Sequence, residues 1–370
     1  MTLISTSAKE RQATDRPPRL SVLPPAARER WDEFVTEAGG HLYQSWGWGE
    51  LKARTGWTPW RVAWEEAGRI CAGVSILARP VPGIGKSLLY APRGPVLAAG
   101  HRPPLTDFLE GVCRLDVTRR ALLLKLDPPV EAMQDWITTA LAGCGFRAAP
   151  PAGMAFDGVQ PRRVFQVNLA PPVEELWRRL HERTRHDLRA SERRGMRVRE
   201  VESPGEVRTF YRLLRDTARR RGFLVRSEEY FQGVLTHLGA RGQAQYFLAE
   251  VLGEAVAGGL ALVVGRNCWY LYTGSSAAFA LPRGHLLLWR ILLWAKARGC
   301  TVCHLGGNPE RAATAELLRF KTRFGATVVD YVGEFDYTAS PVLYSAWTRL
   351  LPNVMRLWRA YGRRVAPTLG

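Results

Sequence analysis

Apolar and polar positions alternate with two different periods along the second half of the chain. Residues 269–273 carry aromatic and apolar side chains at the spacing of a strand. The next segment, 285–298, is apolar on nearly every side, and Gly299 after it suits the end of a helix. A short apolar run at 300–305 predicts a buried strand, and a further helix leads to 320–325. Strand, helix, strand and helix in this order predict one α/β layered unit.

The rest of the chain divides into helices and strands by the same two periods. The predicted helices cover residues 26–38, 105–118, 130–142, 172–194, 204–222 and 228–238, and a loop runs into a helix over 44–55. The predicted strands cover residues 61–64, 70–78, 88–90, 121–126, 163–169, 244–250 and 255–264. The pairs 61–64 with 70–78 and 244–250 with 255–264 are predicted to form hairpins.

A short motif recurs in the two predicted hairpins. The pattern Gly-x-x-x-Ala-Gly begins at Gly68 in the first and at Gly253 in the second, a shift of 253 − 68 = 185 residues. Each leading glycine stands where a tight hairpin turn needs positive φ, and each Ala-Gly pair opens the returning strand. Because the match lies at equivalent points of two units, it favours an internal duplication.

The chain ends and one internal segment set the expected domain limits. Residues 1–19 are polar and charged and lack the apolar segment of a signal peptide, so we interpret them as a disordered tail. Residues 146–158 are rich in Pro, Gly and Ala, and we place the boundary between two domains there.

The composition says little about the fold, but the net charge limits the classes of partner. A chain of 370 residues with 46% hydrophobic content is long enough for about two domains with a sizeable core. Lysine plus arginine exceed aspartate plus glutamate by 52 − 34 = 18, which favours nucleic acid, nucleotide diphosphates or an anionic membrane surface as partners. A basic background composition is the alternative explanation. No uninterrupted apolar stretch reaches the roughly 18 residues of a membrane span, so none is predicted.

Cysteine spacing does not predict a metal site. Among six cysteines only Cys300-x-x-Cys303 has a suggestive spacing, and it lies inside an apolar strand with no second pair. Structural zinc normally has four ligands, so we predict buried free thiols and no metal. This cysteine usage suits a reducing cytosol, and we expect a cytoplasmic protein.

Several motifs occur together in a fixed order. They are Gln44-Ser45-Trp46-x-Trp48-Gly49-x-Leu51-Lys52, Tyr90-Ala91-Pro92-Arg93-Gly94-Pro95, Gly222-Phe223, Arg226-x-x-x-Tyr230, Tyr270-x-Tyr272-x-x-Ser275 and Phe320-Lys321-x-x-Phe324-Gly325. Through them the chain resembles, from about residue 40 to 338, the Fem-type (FemABX) peptidoglycan aminoacyltransferases. Members of that family move an amino acid from aminoacyl-tRNA onto a cell-wall precursor.

The resemblance implies an α/β fold of two tandem GNAT (acyl-CoA N-acyltransferase)-like domains, with the end of the chain packed back on the first. The expected domains are therefore 20–158 together with 339–370, and 159–338. Residues 340–364 have the helical spacing of such a returning piece and are flanked by arginines. An amphipathic contact with a membrane surface is the alternative for this segment.

The resemblance also implies the partners: aminoacyl-tRNA as donor, a UDP- or lipid-linked peptidoglycan precursor as acceptor, and no cofactor. A lipid-linked acceptor would place the protein peripherally at the inner face of the membrane. An acyl-CoA-dependent N-acyltransferase is the rival enzyme. The pyrophosphate loop of CoA-dependent GNAT domains opens a helix, and neither 281–285 nor 79–85 fits its Arg/Gln-x-x-Gly-x-Gly/Ala pattern. The rival from another class is a non-catalytic module that binds tRNA or the precursor.

Lys321 is the leading catalytic candidate, together with Phe320. The chain has no nucleophile elbow and no reactive-cysteine signature, so oxyanion stabilisation is expected in place of a covalent acyl-enzyme. Lys321 lies between Phe320 and Phe324, whose rings would exclude water and strengthen its field. By resemblance this Phe-Lys pair faces the acyl-transfer centre. The alternative is a lysine that reaches past two core aromatics to solvent.

A second set of residues is assigned by resemblance to the acceptor. Lys52, Arg226 and Tyr230 would hold its diphosphate and sugar, since a guanidinium fork suits phosphate oxygens and a tyrosine four residues later can share a helix face. Tyr272 and Tyr90 could line the cleft or be core tyrosines, and Arg93 is a weaker candidate.

Two departures from the family pattern leave the general base open. Val96 follows the Arg-Gly-Pro segment where an acidic residue is common, and His304 stands where aspartate usually precedes the Gly-Gly strand end. The basic segment 178–194 predicts either a solvated face with i,i+4 ion pairs or a contact with the tRNA backbone.

Overall fold

The computed structural model describes residues 18–83, 85–98, 105–149, 160–277, 283–307 and 315–346. These residues form two compact units, the second running from Pro161 to Asp330 and the first comprising what precedes and follows it. The chain re-enters the first unit at Tyr331, whereas the sequence had suggested 339. Three predicted features lie wholly or mostly outside the described residues: the tail at 1–19, the crossing at 146–158 and the helices at 340–364.

The first unit is a mixed sheet with helices packed against it. Its strands are β1 (Arg19–Val22), β2 (Thr58–Glu66), β3 (Arg69–Val81), β4 (Lys86–Ala91), β5 (Val96–Leu97), β6 (Leu123–Leu126), β7 (Arg147–Ala148) and β15 (Phe335–Tyr337). Its helices are α1 (Arg28–Glu37), α2 (Trp46–Ala53), α3 (Leu105–Arg114), α4 (Asp116–Arg119) and α5 (Trp136–Gly143), with 3₁₀ turns at Pro25–Ala27 and Leu42–Gln44. The strand order is β1-β2-β3-β4-β6-β15-β7, and β5 pairs with β3.

The second unit has the same kind of layering. Its strands are β8 (Arg163–Asn168), β9 (Arg197–Glu200), β10 (Ala244–Val251), β11 (Glu254–Val264), β12 (Asn267–Ser275), β13 (Val302–Gly307) and β14 (Thr327–Asp330). Its helices are α6 (Val173–Arg179), α7 (Glu182–Arg193), α8 (Pro204–Arg221), α9 (Glu228–His237), α10 (Arg283–Ala297) and α11 (Ala315–Arg323), with a 3₁₀ turn at Gly239–Arg241. The strand order is β14-β8-β13-β12-β11-β10-β9.

The two units share one topology. In each, a hairpin is followed by a third antiparallel strand, and a later strand lies parallel to that third one after an intervening helix. The equivalent strands are β2, β3, β4 and β6 in the first unit and β10, β11, β12 and β13 in the second. Both units therefore have the α/β layering predicted from the pattern of strands and helices.

The two hairpins match in detail. Their turns have positive φ at both central residues, Ala67-Gly68 in the first unit and Leu252-Gly253 in the second. Each ladder shifts register at the same point, after Trp64 and after Ala249. Since 252 − 67 and 249 − 64 both equal 185, the geometry supports the predicted internal duplication.

The Ala-Gly pair of the repeated motif has a packing role. A Cβ at Gly73 would lie 2.8 Å from the Trp31 ring, and a Cβ at Gly258 would lie 3.0 Å from the Phe210 ring. Both rings are fully buried on the helix that precedes the hairpin, α1 in one unit and α8 in the other. Glycine thus allows a large aromatic side chain to lie directly against the returning strand.

Three predicted helices differ from the structure. Residues 105–118 form α3 and α4, residues 130–142 become helical only from Trp136, and residues 172–194 form α6 and α7. In the last case Leu180 is extended and buried, and the His181 side chain accepts a hydrogen bond from the Arg183 N–H and so caps α7. Tertiary contacts here override a continuous helical pattern. The short strands β1, β5, β7, β9, β14 and β15 were not predicted.

The prediction of buried free thiols is confirmed in the part of the chain that the structure describes. Cys300 and Cys303 are buried free thiols, and burial raises the pKa of Cys300 to about 11. No described helix is both long and apolar enough to cross a bilayer.

Candidate functional site

The parallel strands β12 and β13 lie side by side in the middle of the second sheet. Their paired positions run from Asn267 opposite Val302 to Trp269 opposite His304. Both strands continue further, to Ser275 and Gly307, with no additional paired positions between them among the described residues. Ligands of α/β sheets bind outside the carboxyl ends of strands, so the carboxyl ends of β12 and β13 are where a site is expected.

Lys321, on α11, reaches the carboxyl end of β13. Its side chain is 4% exposed, and its Nζ donates to the carbonyl oxygens of Gly306 at 3.1 Å and Gly307 at 2.6 Å. Gly306 has a φ of +69°, and a Cβ at Gly307 would lie 2.1 Å from Pro161. Both glycines are therefore required for the strand to end with two successive carbonyls directed at one ammonium.

Burial lowers the pKa of Lys321 to about 8. The ring of Phe165, on β8, has its centroid 4.9 Å from the Lys321 ammonium. Burial alone accounts for this shift, with no contribution from a carboxylate in the described part of the chain. A cation in such surroundings acts strongly on charge that develops nearby, because the local dielectric screening is weak.

Phe320 and Phe324 form a separate aromatic cluster. Their ring centroids are 5.1 Å apart, and both rings pack on His285 in the first turn of α10, at 5.2 and 5.9 Å. The Nε2 of His285 lies 3.8 Å from an Asp187 oxygen. The rings of Phe320 and Phe324, which were predicted to flank Lys321, therefore pack on His285. The ring over the Lys321 ammonium is that of Phe165.

Arg226, Tyr230 and Tyr272 are brought together in the second unit. The Arg226 guanidinium lies 4.9 Å from the centroid of the Tyr230 ring, which in turn lies 6.5 Å from that of Tyr272. Tyr230 is buried, whereas the other two are half-buried. Arg226 precedes α9, so the pair spans the start of a helix and does not share a helix face as predicted.

Tyr272 occupies an irregular position in its strand. It has a φ of +49° and is the extra residue where the ladder between β11 and β12 shifts register. The bulge directs its ring against Phe231, at 5.1 Å between centroids, and towards Tyr230. Bulges often redirect a side chain near a functional site.

Lys52 lies in the first unit, at the last turn of α2. Its side chain is buried, and its Nζ is 5.6 Å from the centroid of the Trp48 ring, which stacks on Tyr43 at 4.4 Å. Gln44, at the start of the same motif, is fully buried and donates to the Pro92 carbonyl at 2.7 Å. Ser45 caps α2 by accepting from the Trp48 N–H. Much of the motif at residues 44–52 thus has a structural role, and it places Lys52 in the last turn of α2.

Tyr90 and Arg93 belong to a buried network in the first unit. The Tyr90 hydroxyl donates to Asp127 at 3.0 Å, and the backbone N–H of Arg93 donates to the other carboxylate oxygen at 2.6 Å. The Arg93 guanidinium lies 3.9 Å from this carboxylate and 4.9 Å from the centroid of the Tyr331 ring. Burial raises the pKa of Asp127 to about 6, and Arg93 opposes that shift. Tyr90 and Arg93 are core residues that hold the carboxyl ends of β4 and β6.

The basic segment of the second unit forms ion pairs along its helices. Arg179 lies 2.9 Å from Glu175 one turn away, and Glu192 lies 2.9 Å from Arg290 of α10. The Arg189 guanidinium lies over the Trp177 ring at 5.4 Å. The i,i+4 pairing expected for a solvated face is present, and an RNA contact at this face stays a prediction.

Sequence reasoning missed Phe165, His285, Asp187 and Asp127. Asp127 could have been found, because it directly follows the predicted strand 121–126 at the carboxyl edge of a parallel pair. Phe165 gave no signal, since its contact with the Lys321 ammonium joins residues far apart in sequence.

Known relatives have related sequences over nearly their whole length. The chain is 29% identical over 338 residues to UDP-N-acetylmuramoylpentapeptide-lysine N(6)-alanyltransferase of Weissella viridescens, covering 89% of this chain and 98% of that protein. It is 24% identical over 404 residues to the lipid II:glycine glycyltransferase of Staphylococcus aureus, covering 88% and 94%.

Solved structures agree on the fold. The structure of FemX superimposes with a TM-score of 0.80 at 22% identity, covering 89% of this chain and 99% of that one. A tandem GNAT protein from the clavulanic acid biosynthesis pathway gives 0.52 at 11% identity, covering 88% and 99%. The predicted α/β fold of two tandem GNAT-like domains is confirmed. The profile of the FemAB family matches residues 27–252 and 240–351, and the chain therefore belongs to the FemAB family.

Proposed function

We propose that this chain is an aminoacyltransferase that moves an amino acid from aminoacyl-tRNA to an amine on the stem peptide of a peptidoglycan precursor. The observation that carries the proposal is the buried Lys321 ammonium, held by two carbonyls at the carboxyl edge of a GNAT-like sheet. Family membership supports the acceptor class, because one relative is named for a UDP-linked muramoyl pentapeptide and another for lipid II.

Lys321 is assigned to the charge that develops during transfer. The neutral acceptor amine attacks the aminoacyl carbonyl carbon, forming a C–N bond and placing negative charge on the carbonyl oxygen. When that intermediate collapses, the ester C–O bond breaks, and the ribose oxygen leaves with the proton that the amine loses. The Lys321 ammonium can donate to the oxyanion at the intermediate stage. With a pKa of about 8 it is still mostly protonated at neutral pH.

The acceptor is assigned to the cluster around Arg226. A half-buried guanidinium stacked on the Tyr230 ring is oriented for phosphate oxygens of a diphosphate, and the two tyrosines offer rings and hydroxyls to a sugar. Lys52, which lies in the first unit, stays a candidate for acceptor binding by resemblance alone. Tyr90 and Arg93 are given a structural role, because both hold Asp127. Phe320 precedes Lys321 on α11 and packs on His285, and by resemblance it is assigned to the same acyl-transfer centre.

The donor is assigned to aminoacyl-tRNA by family membership and by charge. The net charge of +18 favours a polyanionic partner. For the rival acyl-CoA donor, the segment 79–85 joins β3 to β4, so it opens no helix for a pyrophosphate. Residues 281–282 of the second candidate loop lie outside the described residues.

The test is transfer of a labelled amino acid in a defined mixture. The purified protein is incubated with mixed charged tRNAs and with UDP-linked and lipid-linked precursors, and the products are identified by mass. We expect a precursor extended by one amino acid, loss of product after RNase treatment, and no rescue by CoA thioesters. Product formed in the RNase-treated, CoA-supplied mixture would establish the rival enzyme. Binding of tRNA and precursor without any transfer would establish the non-catalytic module.

A further inference from the structure

Four exposed apolar side chains lie at two helix ends of the second unit. Phe223 and Leu224 are 45% and 65% exposed, and Leu317 and Leu318 are 41% and 38% exposed. We call these four residues the apolar face. Large exposed apolar groups in a cluster mark an interaction surface more often than single ones do.

An ion pair connects the two parts of the apolar face. At the end of α8, the Arg221 guanidinium lies 3.2 Å from the carboxylate of Glu316, in the first turn of α11. Gly222, with a φ of +73°, turns the chain out of α8, so Phe223 and Leu224 leave the helix beside this pair. Leu317 follows Glu316 directly.

Cations outnumber carboxylates in the two segments that carry the apolar face. Residues 216–226 contain four arginines and one aspartate, and residues 315–319 contain one arginine and one glutamate, which leaves 5 − 2 = 3 positive charges. Arg319 is exposed, and the side chains of Arg219 and Arg221 are 65% and 60% exposed. A surface that carries both exposed apolar side chains and an excess of cations complements an anionic lipid bilayer.

The part of the apolar face at Phe223 lies close to the acceptor cluster. Thr217, in the last turns of α8, exchanges hydrogen bonds with the backbone of Ser275 at the carboxyl end of β12. Tyr272 lies in the same part of that strand, and Phe223 stands only 226 − 223 = 3 residues before Arg226. A polyprenyl-linked precursor carries its hydrocarbon chain directly on the diphosphate. Apolar side chains beside a diphosphate-binding arginine are therefore placed where the lipid chain would emerge.

We infer that the apolar face docks the protein on an anionic lipid bilayer and that the acceptor is the lipid-linked form of the precursor. This inference rests on the proposed function for its acceptor chemistry. Three of the four residues are aliphatic, and leucine offers neither stacking for a base nor a donor for a phosphate. An RNA surface is for that reason the less favoured occupant.

The first experiment measures binding to vesicles without using activity. The full chain is sedimented with vesicles of phosphatidylglycerol and phosphatidylcholine and, separately, with pure phosphatidylcholine. The double variant Leu317→Glu, Leu318→Glu and the single variant Leu224→Glu place carboxylates on the apolar face. Leu252→Glu is the matched control, because Leu252 is 96% exposed at a hairpin tip of the same unit. We expect wild type and the control to bind anionic vesicles, and the double variant to bind about tenfold more weakly or worse.

The second experiment compares acceptors and donors. We expect the double variant to lose transfer to the lipid-linked precursor in vesicles, while its tRNA binding stays within about twofold of wild type. Equal vesicle binding by wild type, control and both face variants would overturn the inference. A selective loss of tRNA binding would assign the face to RNA. If no transfer occurs with any acceptor, the proposed function fails, and the vesicle assay still decides the bilayer contact.

Discussion

Replacing Lys321 by methionine isolates the role of its ammonium. Methionine keeps most of the apolar stem and its packing but leaves the carbonyls of Gly306 and Gly307 without their donor. Two unpaired carbonyls cost about 1–3 kcal/mol each when water does not replace the lysine. Against this, a pKa of about 8 in place of 10.5 corresponds to about 3 kcal/mol against the charged lysine. The two effects oppose each other, so we expect the free energy of unfolding to change by about 3 kcal/mol or less.

The chemical step should change far more than stability. Removing one oxyanion donor lowers the rate by about 10²–10³-fold, whereas both substrates should bind nearly normally, because the oxyanion forms only after attack. Single-turnover transfer from charged tRNA measures this step. Lys296→Met is the matched control, since its Nζ also donates to two backbone carbonyls, those of Leu169 and Ala170, in the same unit. We expect transfer by that control to remain within about threefold of wild type.

The pH dependence gives an independent check on Lys321. Below pH 8 both the folded and the unfolded chain hold the proton, so the full cost of burying the charge is present. Between about pH 8 and 10.5 the unfolded chain keeps the proton that the folded chain has released, so wild-type stability should rise relative to Lys321→Met. Wild-type transfer should decline above about pH 8, and the residual activity of the variant should lack that decline. A folded variant that transfers within about threefold of wild type would refute the assignment, and loss of substrate binding would make Lys321 a positioning residue.

Three further predictions concern the acceptor cluster, the buried carboxylate and the duplicated motif. Arg226→Ala should weaken binding of the precursor by about 1.5–3 kcal/mol in calorimetry, because a charged hydrogen bond to phosphate is lost. Arg208→Ala is the control and should leave the affinity unchanged. If Arg226→Ala binds the precursor as tightly as wild type, Arg226 is not part of the site. Burial raises the pKa of Asp127 from 3.8 to about 6, so between these pH values the folded chain holds a proton that the unfolded chain has released. Urea denaturation should therefore show that wild-type stability falls relative to Asp127→Asn as the pH rises from about 4 to about 6. Parallel curves of stability against pH for the two proteins would contradict the burial effect. Gly73→Ala should lower the free energy of unfolding by about 1–3 kcal/mol, because its methyl would meet an indole ring at 2.8 Å, whereas Gly143→Ala, with open space around it, should be close to neutral; equal midpoints for the two variants would argue against the packing role.

Local patterns predicted the features that depend on nearby residues. The hairpins followed from alternating apolar positions and from glycines that allow positive φ, and both were found with their turns in place. Lys321 was selected by a motif, and its burial and its place at the strand end were then visible in the structure. The break at Leu180 could not be predicted, because it depends on the His181 N–H donating to the Arg323 carbonyl from a distant helix.

The residues around each predicted group were the harder part. Phe165 contacts the Lys321 ammonium only because β8 lies beside β13 in the sheet, which no spacing along the chain reveals. Arg226 and Tyr230 were predicted to share a helix face and instead meet across a helix start, because α9 begins only at Glu228. In both cases the residue types indicated the chemistry, but the sequence did not reveal which residues become neighbours in the folded chain.

The duplicated topology has a consequence for how the two copies diverged. In the first unit β4 and β6 stay paired up to their last residues, Ala91 opposite Leu126. The Arg93–Asp127 ion pair lies just after these strand ends. In the second unit the corresponding pairing stops well before β12 ends, and the Lys321 ammonium reaches the carboxyl end of β13. The same place in the repeat therefore carries a carboxylate paired with an arginine in one copy, and a lysine ammonium held by two uncharged carbonyls in the other.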